Sequence, residues 1–495
     1  MYFLGLDVGT GGSRAIVIDG GGEIVASATA AHEPFASPAI GWAEQSPEDW
    51  WRASAAAIRA CLKNVRAEEI GAIGFSGQMH GATLLDAAGA PLRPALIWCD
   101  QRTEKQCREI TEKIGAERLI ELVSNPAITG FTLPKLLWVR ENEPELWARV
   151  KTVLLPKDYI RFRLSGDKAS DVADSSGTLL FDVKNRKWSD EMLAAFDLKR
   201  DLLPRVYESI ETTGAVSEKG ARETGLKAGT MLIAGAGDNA AGAVGTGLVE
   251  TGAASATIGT SGVVFVVTEK PVLDAKGRIH TLCHAIADRW HNTGVTQSAG
   301  LSLKWFRENL AAGESYDELA NDAAKISAGA DGALWLPYLM GERTPHLDAH
   351  ARAAFVGLTA SHSKAHLARA VLEGVAFSLR DSFEIFREMR VPIRALRLSG
   401  GGAKSPVWRQ IQADVYGQTV EIIEAEEGAA FGAALLAGVG AGCWSSVEEA
   451  CRRTIRVKDV IEPDRDSVEK LNRNYAAYRL LYGALRPAMN IITGN

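Results

Sequence analysis

The feature that most constrains this chain is a glycine-rich octet near its start. Residues 7–14 read DVGTGGSR and lie between two apolar runs of strand length. Glycines let the backbone approach an anion closely, and exposed N–H groups and the Thr10 hydroxyl can donate to phosphate oxygens. Asp7, at the end of the first run, could meet a bound metal. The octet predicts a β-hairpin whose turn binds phosphate; a plain tight turn is the competing interpretation.

A second copy of this pattern occurs half a chain later. Residues 254–258 run into Gly259-Thr260-Ser261-Gly262, and the chain leaves through the apolar residues 263–267. In each half a further apolar run then leads into a second glycine loop, residues 76–78 and residues 399–402. Each half therefore reads as hairpin, helix, strand and glycine loop. We interpret this as the duplication of a domain, with two sites for phosphate.

Composition is that of a large globular enzyme. The chain has 495 residues, of which 46% are hydrophobic and 23% charged, so two or more domains are expected. A net charge of -6 argues against a nucleic-acid-binding protein. The longest apolar stretch, residues 428–444, is too short to span a membrane. No export signal precedes Asp7, and the six cysteines form no C-x-x-C pair, so we expect a cytoplasmic protein with reduced thiols.

Alternating strands and helices predict α/β domains. In the first half we expect a helix that starts after Ser46, with Pro47 at its first position, and in the second half a long helix that starts near Ser363. Predicted strands cover residues 3–8, 13–19, 23–30, 70–75, 254–259, 262–268 and 395–399. The glycine-rich residues 242–252 are the expected hinge, which divides the chain into lobes at 1–246 and 247–495 with a cleft between them.

Two polar segments are candidates for the chemistry. Asp238 follows an apolar run and a pair of glycines, where a helix would begin. It is either the N-cap of that helix or a base that accepts a proton from a substrate hydroxyl, a role that asks for little beyond positioning in phosphoryl transfer. Gln78, Met79 and His80 offer an amide, an apolar wall and an imidazole, which suits a sugar-sized ligand. A purely structural histidine is the alternative.

These motifs resemble those of the FGGY carbohydrate kinases, which belong to the actin-like, Hsp70-like and hexokinase-like ATPase superfamily. Two long signatures of that family are met, by residues 130–139 and by residues 355–358 followed by 366–373. Four shorter blocks are similar to those of members that phosphorylate D-xylulose: residues 78–82, 155–159, 169–171 and 237–242. Glycerol kinases have Arg-Glu where this chain has Met79-His80, which favours a ketopentose over glycerol.

The resemblance implies a two-lobed, ribonuclease H-like α/β fold with a duplicated domain and a cleft between the lobes. It also implies ATP-dependent phosphorylation of D-xylulose at O5, with ATP and Mg²⁺ as cofactors. A kinase for another ketose or polyol, such as ribulose or sedoheptulose, is the first alternative. A non-catalytic nucleotide switch of the actin or Hsp70 kind is the second. Dimers are common among such proteins, and the sequence leaves a homodimer open.

The resemblance further assigns roles to residues. Asp238 would be the catalytic base, and Asp7 and Thr10 would face Mg²⁺ and the transferred phosphate. The expected sugar contacts are Gln78, Met79, His80 and Asn239, and the expected nucleotide contacts are Gly259, Thr260, Gly300, Lys304, Gly401, Gly402 and Ser405. The chain departs from the family pattern at Cys99, Ala236 and Arg14, where Asn, Gly and Lys are common. None of these departures removes a residue that the mechanism needs.

Overall fold

Two seven-stranded mixed sheets form the framework of the protein, in a computed structural model that describes residues 1–424 and 428–494. The first sheet has the spatial order Thr212–Ala215, Met231–Ile233, Ile70–Gly77, Tyr2–Val8, Gly12–Ile18 and Ile24–Ala31, and a short strand, Ala236–Gly237, also pairs with Ile70–Gly77. The second has the order His280–Cys283, Trp290–Thr296, Gly262–Thr268, Ala253–Ile258, Ala395–Gly400, Val420–Ile423 and Val457–Ile461. All strands predicted from the sequence are present, within one or two residues of their expected ends.

The two sheets share one topology. In each, the first strand of the hairpin pairs antiparallel with the second, and the second pairs antiparallel with a third. The same first strand pairs on its other side, in parallel, with the strand that follows the long helix. The register is also shared, since Asp7 lies opposite Ser76 in one sheet and Thr257 opposite Ser399 in the other. The predicted α/β fold and its duplication are confirmed.

The helices begin where the sequence signals them. Helix Pro47–Cys61 has Ser46 at its N-cap and proline at its first position, and helix Lys364–Glu388 starts with a capping box between Ser363 and His366. The other principal helices are Glu104–Ile114, Ala116–Val123, Thr132–Asn142, Pro156–Ser165, Asp238–Gly245, Gly300–Leu310, Tyr316–Ala324, Pro406–Tyr416, Gly428–Gly440, Val447–Thr454 and Arg465–Thr493. Within the described residues, no helix combines the length and the apolar character that crossing a membrane requires.

Helices Asp238–Gly245 and Gly428–Gly440 cross with their backbones in contact. A Cβ atom on Gly432 would lie 1.8 Å from the carbonyl oxygen of Ala241, so only glycine fits at this crossing. The second helix also lies against the first sheet, where a Cβ on Gly5 would come within 2.0 Å of the Ala430 carbonyl oxygen. Buried side chains from both halves of the chain form one apolar cluster around this crossing: Phe3, Ile16, Val244, Leu435 and Trp444 are among them. Asp238, as the first residue of the first helix, is thereby held at the junction of the two sheets.

Candidate active site

Three adjacent parallel strands bring the polar residues of the first half together. Asp7 is paired with Ser76, and the short strand Ala236–Gly237, which immediately precedes Asp238, runs beside Ser76 and Gly77. The carboxyl ends of parallel strands meet at one edge of a sheet, which is where open α/β sheets bind ligands. The Ser76 hydroxyl donates a hydrogen bond of 2.8 Å to Oδ1 of Asp7. The edge therefore carries two carboxylates, one of which is oriented by a neighbour.

Asp238 does not cap its helix. The N-cap position is Gly237, and no side chain makes a capping hydrogen bond there, so the N-cap interpretation of Asp238 is wrong. Burial first, and then the charge of Asp7, raise the pKa of Asp238 to about 7, against a hydrogen bond from the backbone N–H of Asn239 that lowers it. A carboxyl that titrates near neutral pH is matched to accepting a proton from a hydroxyl.

Asp7 fits a Mg²⁺ site. Burial raises its pKa, while the Ser76 hydrogen bond and the charge of Arg14 lower it. Mg²⁺ is usually held by one or two carboxylates together with substrate phosphates and water, rather than by a cage of protein ligands. Within residues 1–424 and 428–494 no cluster of three or more metal-ligating side chains is found. Asp7 and Asp238 are close enough for the charge of Asp7 to raise the pKa of Asp238.

The first hairpin loop is fixed from below by two glutamines. Gln78 is buried, and its Nε2 donates to Oε1 of Gln45 at 2.9 Å. Gln45 Nε2 in turn donates to the carbonyl oxygen of Thr10 at 2.8 Å, and the indole N–H of Trp98 donates to the Thr10 hydroxyl at 2.9 Å. The structure thus places Gln78 beneath the loop, where it supports Thr10. Gln45 and Trp98 were not found from the sequence, because each is a single polar or aromatic residue outside any motif.

His80 is presented by an unusual backbone. Its φ is 68°, and its carbonyl oxygen accepts hydrogen bonds from Lys135 Nζ at 2.9 Å and from the Thr132 hydroxyl at 3.1 Å. Burial first, then the charge of Lys135, lowers the pKa of His80 to about 3, so the ring is neutral. Its Nδ1 lies 2.6 Å from the carbonyl oxygen of Gly177, which can only accept, so Nδ1 carries the proton. Nε2 is left as an acceptor for a ligand hydroxyl.

Met79 and Asn239 lie together beside the base. The amide of Asn239 is 3.6 Å from the Met79 sulfur, and a Cβ on Gly237 would come within 2.7 Å of the Met79 side chain. Met79 is buried, whereas Asn239 is exposed. The predicted sugar residues from two distant segments are therefore neighbours of Asp238.

A buried ionic cluster supports this group from behind. Lys157 Nζ lies 2.7 Å from Asp158, 2.5 Å from Asp171 and 3.1 Å from Asp174, with all four side chains fully buried. Asp174 also lies under Gly237, at 3.3 Å from the position of a Cβ there. Two of the short sequence blocks, residues 155–159 and 169–171, thus meet directly beneath the strand that leads into Asp238.

The second hairpin loop lies at the start of a helix. The N–H of Gly300 donates to the Gly259 carbonyl oxygen at 2.7 Å, and that of Leu301 donates to the Thr260 carbonyl oxygen at 3.1 Å. A glycine loop beside a helix N-terminus is a favourable place for a phosphate. Lys304, one turn into the helix Gly300–Leu310, points outward: its side chain is 56% exposed and lies 3.9 Å from Glu308.

A cavity of about 700 Å³ is lined by helix Asp238–Gly245 and by strands of the second sheet. Asp238 and Asn239 line one end, and Gly401 and Lys404 line another. Its apolar lining comes from strands of the second sheet and includes Val263, Phe265, Leu398 and Ile422. The volume is sufficient for a nucleotide.

The remaining predicted nucleotide residues lie behind the cavity wall. Gly402 is buried, with the Ile258 side chain 2.6 Å from the position of a Cβ on it. The Ser405 hydroxyl accepts a hydrogen bond of 3.3 Å from the N–H of Trp408 and so caps helix Pro406–Tyr416. Among the described residues, the cavity lining includes Gly401 but neither of these two.

Comparison with known proteins agrees with this geometry. Residues 2–245 match the model of the N-terminal domain of the FGGY family of carbohydrate kinases, and residues 254–441 match that of the C-terminal domain. The chain is 40% identical to the xylulose kinase of Escherichia coli (strain K12) over 98% of its length and 100% of that protein. It is 39% identical to the xylulose kinase of Bacillus subtilis (strain 168) over 97% of its length and 96% of that protein. The gluconokinase of Bacillus subtilis is 31% identical over 88% of this chain and 86% of its own length.

Solved structures show the same fold. A crystal structure of a xyloylose kinase from Brucella ovis superposes with a TM-score of 0.93 at 36% identity, covering 99% of this chain and 100% of that one. The ligand-bound xylulose kinase from Lactobacillus acidophilus gives a TM-score of 0.94 at 25% identity, with 99% of each chain covered. The protein belongs to the FGGY family of carbohydrate kinases.

Proposed function

We propose that this kinase transfers the γ-phosphoryl group of ATP to O5 of D-xylulose. The observation that carries the proposal is the position of Asp238, between the sugar residues Met79 and Asn239 on one side and the large cavity on the other. Its raised pKa, about 7, supports a role as base. The xylulose kinases to which the chain is similar support the choice of sugar.

The chemistry follows from these positions. The O5 hydroxyl gives its proton to the Asp238 carboxylate, O5 forms a bond to the γ-phosphorus, and the bond from that phosphorus to the bridging oxygen breaks, so that ADP leaves. The transition state of such a transfer is loose, and the protein acts mainly through positioning and charge. Asp7 would hold Mg²⁺, which neutralises charge on the phosphates when it is bound. Thr10 and the N–H groups of the first hairpin loop would donate to the transferred group.

The nucleotide would occupy the cavity. Gly259 and Thr260 would contact its other phosphates, and the ribose and adenine would be bordered by Gly300, Lys304 and Gly401, with Gly402 and Ser405 supporting the wall behind them. We further propose that residues 1–246 and 247–495 close on the two substrates as lobes. Closure excludes water, which would otherwise compete with the sugar as the attacking nucleophile.

The test is the rate of ADP release, measured by a coupled assay across a panel of acceptors. The panel contains D-xylulose, D-ribulose, sedoheptulose, D-gluconate, xylitol and glycerol. We expect the highest kcat/KM with D-xylulose, and phosphorus coupling to the C5 protons in the NMR spectrum of the product. A much higher kcat/KM with another acceptor would overturn the choice of sugar, and ADP release that no acceptor stimulates would overturn the kinase itself.

A further inference from the structure

Arg343 is a partly buried arginine: burial lowers the pKa of its guanidinium group, and the charge of Glu342, the preceding residue, opposes that shift. In the part of the chain that the structure describes, the Arg343 side chain makes no hydrogen bond or ion pair. Each of its side-chain nitrogens keeps some contact with solvent. The other arginines with little exposure behave differently: Arg93, Arg102, Arg161 and Arg369 each pair with a carboxylate at 2.7 Å or less. Arg343 thus lacks the closely paired carboxylate that each of these arginines has.

The backbone that carries Arg343 is held firmly. Its N–H donates to Oε1 of Glu342 at 2.8 Å, and the N–H of Gln297 donates to the same oxygen at 2.9 Å. The next residue, Thr344, donates its N–H to the Val295 carbonyl oxygen at 2.9 Å. A charged side chain on a rigid backbone, with no hydrogen-bond or ion-pair partner in the protein, is preorganised to bind a ligand.

Two imidazoles lie near this arginine, on either side of one aromatic ring. The ring centroid of Phe131 is 4.6 Å from that of His80 and 5.7 Å from that of His280, both edge to face. His280 Nδ1 lies 3.2 Å from Oδ1 of Asn125, whose amide nitrogen is already donating to two carbonyl oxygens. His280 therefore donates through Nδ1, and its Nε2, like that of His80, is an open acceptor.

Arg343 lies beside the strands that carry His280: the Thr344 hydroxyl donates to the Arg278 carbonyl oxygen at 2.8 Å, and the Thr344 N–H donates to that of Val295 at 2.9 Å, in the strand that pairs with His280–Cys283. Burial first, and the charges of Lys135 and Arg343 among others, lower the pKa of His80 to about 3; burial followed by Arg343 does the same for His280. The guanidinium is thus within electrostatic reach of both rings.

The donors and acceptors match one end of a ketose. With O5 at Asp238, the opposite end of D-xylulose carries the C1 hydroxyl and the C2 carbonyl. Hydroxyl groups can donate to the two imidazole Nε2 atoms, whereas a carbonyl oxygen only accepts and needs a donor. Among these three open groups, Arg343 alone is a donor.

We propose that Arg343 determines specificity for ketoses by donating a hydrogen bond to the C2 carbonyl oxygen of the sugar, beside His80 and His280. This inference rests on the proposed function, because it takes O5 at Asp238 as its starting point. It adds a residue from the second half of the chain to a sugar site that the sequence motifs placed entirely in the first half, at residues 78–80 and 239.

The test compares two acceptors that differ at C2. D-Xylulose carries a carbonyl there, and xylitol carries a hydroxyl. In Arg343→Met we expect kcat/KM for D-xylulose to fall by about 10- to 100-fold, mainly through KM, because a hydrogen bond to a charged group is lost. The value for xylitol should change by less than about 3-fold, since a hydroxyl can turn to donate to the imidazoles. Arg343→Lys, which keeps one donor and the charge, should recover part of the loss for D-xylulose.

Arg66→Met is the matched control, since the Arg66 side chain is 77% exposed, and it should leave both constants unchanged. ADP affinity, measured by calorimetry, reports whether each variant is folded. Equal losses for the two acceptors, or no loss for D-xylulose, would overturn the role of Arg343 while leaving the proposed function intact. If D-gluconate were the better acceptor and lost most in Arg343→Met, the guanidinium would be a carboxylate site and both proposals would fail. A wild-type enzyme that phosphorylates no ketose would contradict the proposed function itself.

Discussion

The two hairpins share one strand register but differ in chemistry. In the first sheet, Asp7 accepts a hydrogen bond of 2.8 Å from Ser76 across the parallel pair. At the same register in the second sheet, Thr257 and Ser399 share a hydrogen bond of 2.7 Å between two hydroxyls. The carboxylate of one lobe is thus replaced by a neutral hydroxyl in the other.

This difference shows how the two halves of a duplicated fold can take different chemical roles. A neutral loop can lie beside phosphates and offer only N–H and hydroxyl donors, which suits binding. The loop with a carboxylate can hold a cation and, with Asp238 at the end of the neighbouring strand, can also accept a proton. We therefore expect substitutions in the first lobe to act on the rate of the chemical step, and the equivalent ones in the second lobe to act weakly.

The largest effect is expected for Asp238→Asn. The amide keeps the size of the side chain but cannot accept the proton from O5, so kcat should fall by about 10²- to 10⁴-fold. Steady-state kinetics measure kcat, and calorimetry with ADP should show nucleotide affinity close to that of wild type. Asp466→Asn, an exposed position in the C-terminal helix, is the control. Retention of more than a tenth of kcat in Asp238→Asn would contradict the role of base.

The pair Asp7→Asn and Thr257→Ala tests the comparison directly, because the two residues occupy the same register. We expect Asp7→Asn to lower kcat by about 10²-fold, since charge stabilisation of the transferred group is lost, and to raise the Mg²⁺ concentration needed for half-maximal rate. Thr257→Ala should cost about 1 kcal/mol of stability through one hydrogen bond and change kcat by less than about 3-fold. Similar losses of kcat in both variants would show that the lobes are not specialised.

The pH profile offers a third test. The base works only when ionised, so kcat/KM should fall about tenfold per pH unit below the pKa of Asp238, which burial and Asp7 raise to about 7. At pH 5 the loss would approach 10²-fold. In Asp7→Asn the charge that raises this pKa is removed, so the falling limb should move to lower pH, whereas in Thr257→Ala it should stay in place. A limb that does not move in Asp7→Asn would show that the two carboxylates are not coupled.

The smallest effect concerns stability. The folded-state pKa of Asp238, about 7, lies above its usual value of 3.8, so between these two pH values the folded state binds the extra proton. Stability should therefore fall as pH rises from about 4 to 7 and stay reduced above 7. Asp238→Asn removes the free-energy cost of ionising this buried carboxyl. At pH 8 it should therefore raise Tm, by about 2–4 °C for each kcal/mol of unfolding free energy recovered, and at pH 4 it should bring no gain. The measurement is thermal unfolding with EDTA and without nucleotide; an unchanged Tm at both pH values would contradict the raised pKa.

Features that short stretches of sequence encode were predictable. The two hairpins, both long helices and Asp238 lie in local patterns of apolar runs, glycines and capping residues, and the structure has them close to the expected positions. The residues that hold the Thr10 loop in place were not predictable in this way. Gln45 and Trp98 act through the Thr10 loop only because the chain returns to it, and no local pattern marks either residue.

By itself the sequence determined the α/β architecture and its duplication, because strand and turn signals are local, and it predicted Asp7 and Asp238 as the carboxylates of the site. Only the tertiary structure decided what those residues meet. It turned Gln78 inward beneath the first loop, and it brought His280 and Arg343 within reach of His80. Such contacts join residues far apart in the chain, and their geometry depends on how two sheets and the glycine-lined helix crossing pack together, which no single segment encodes.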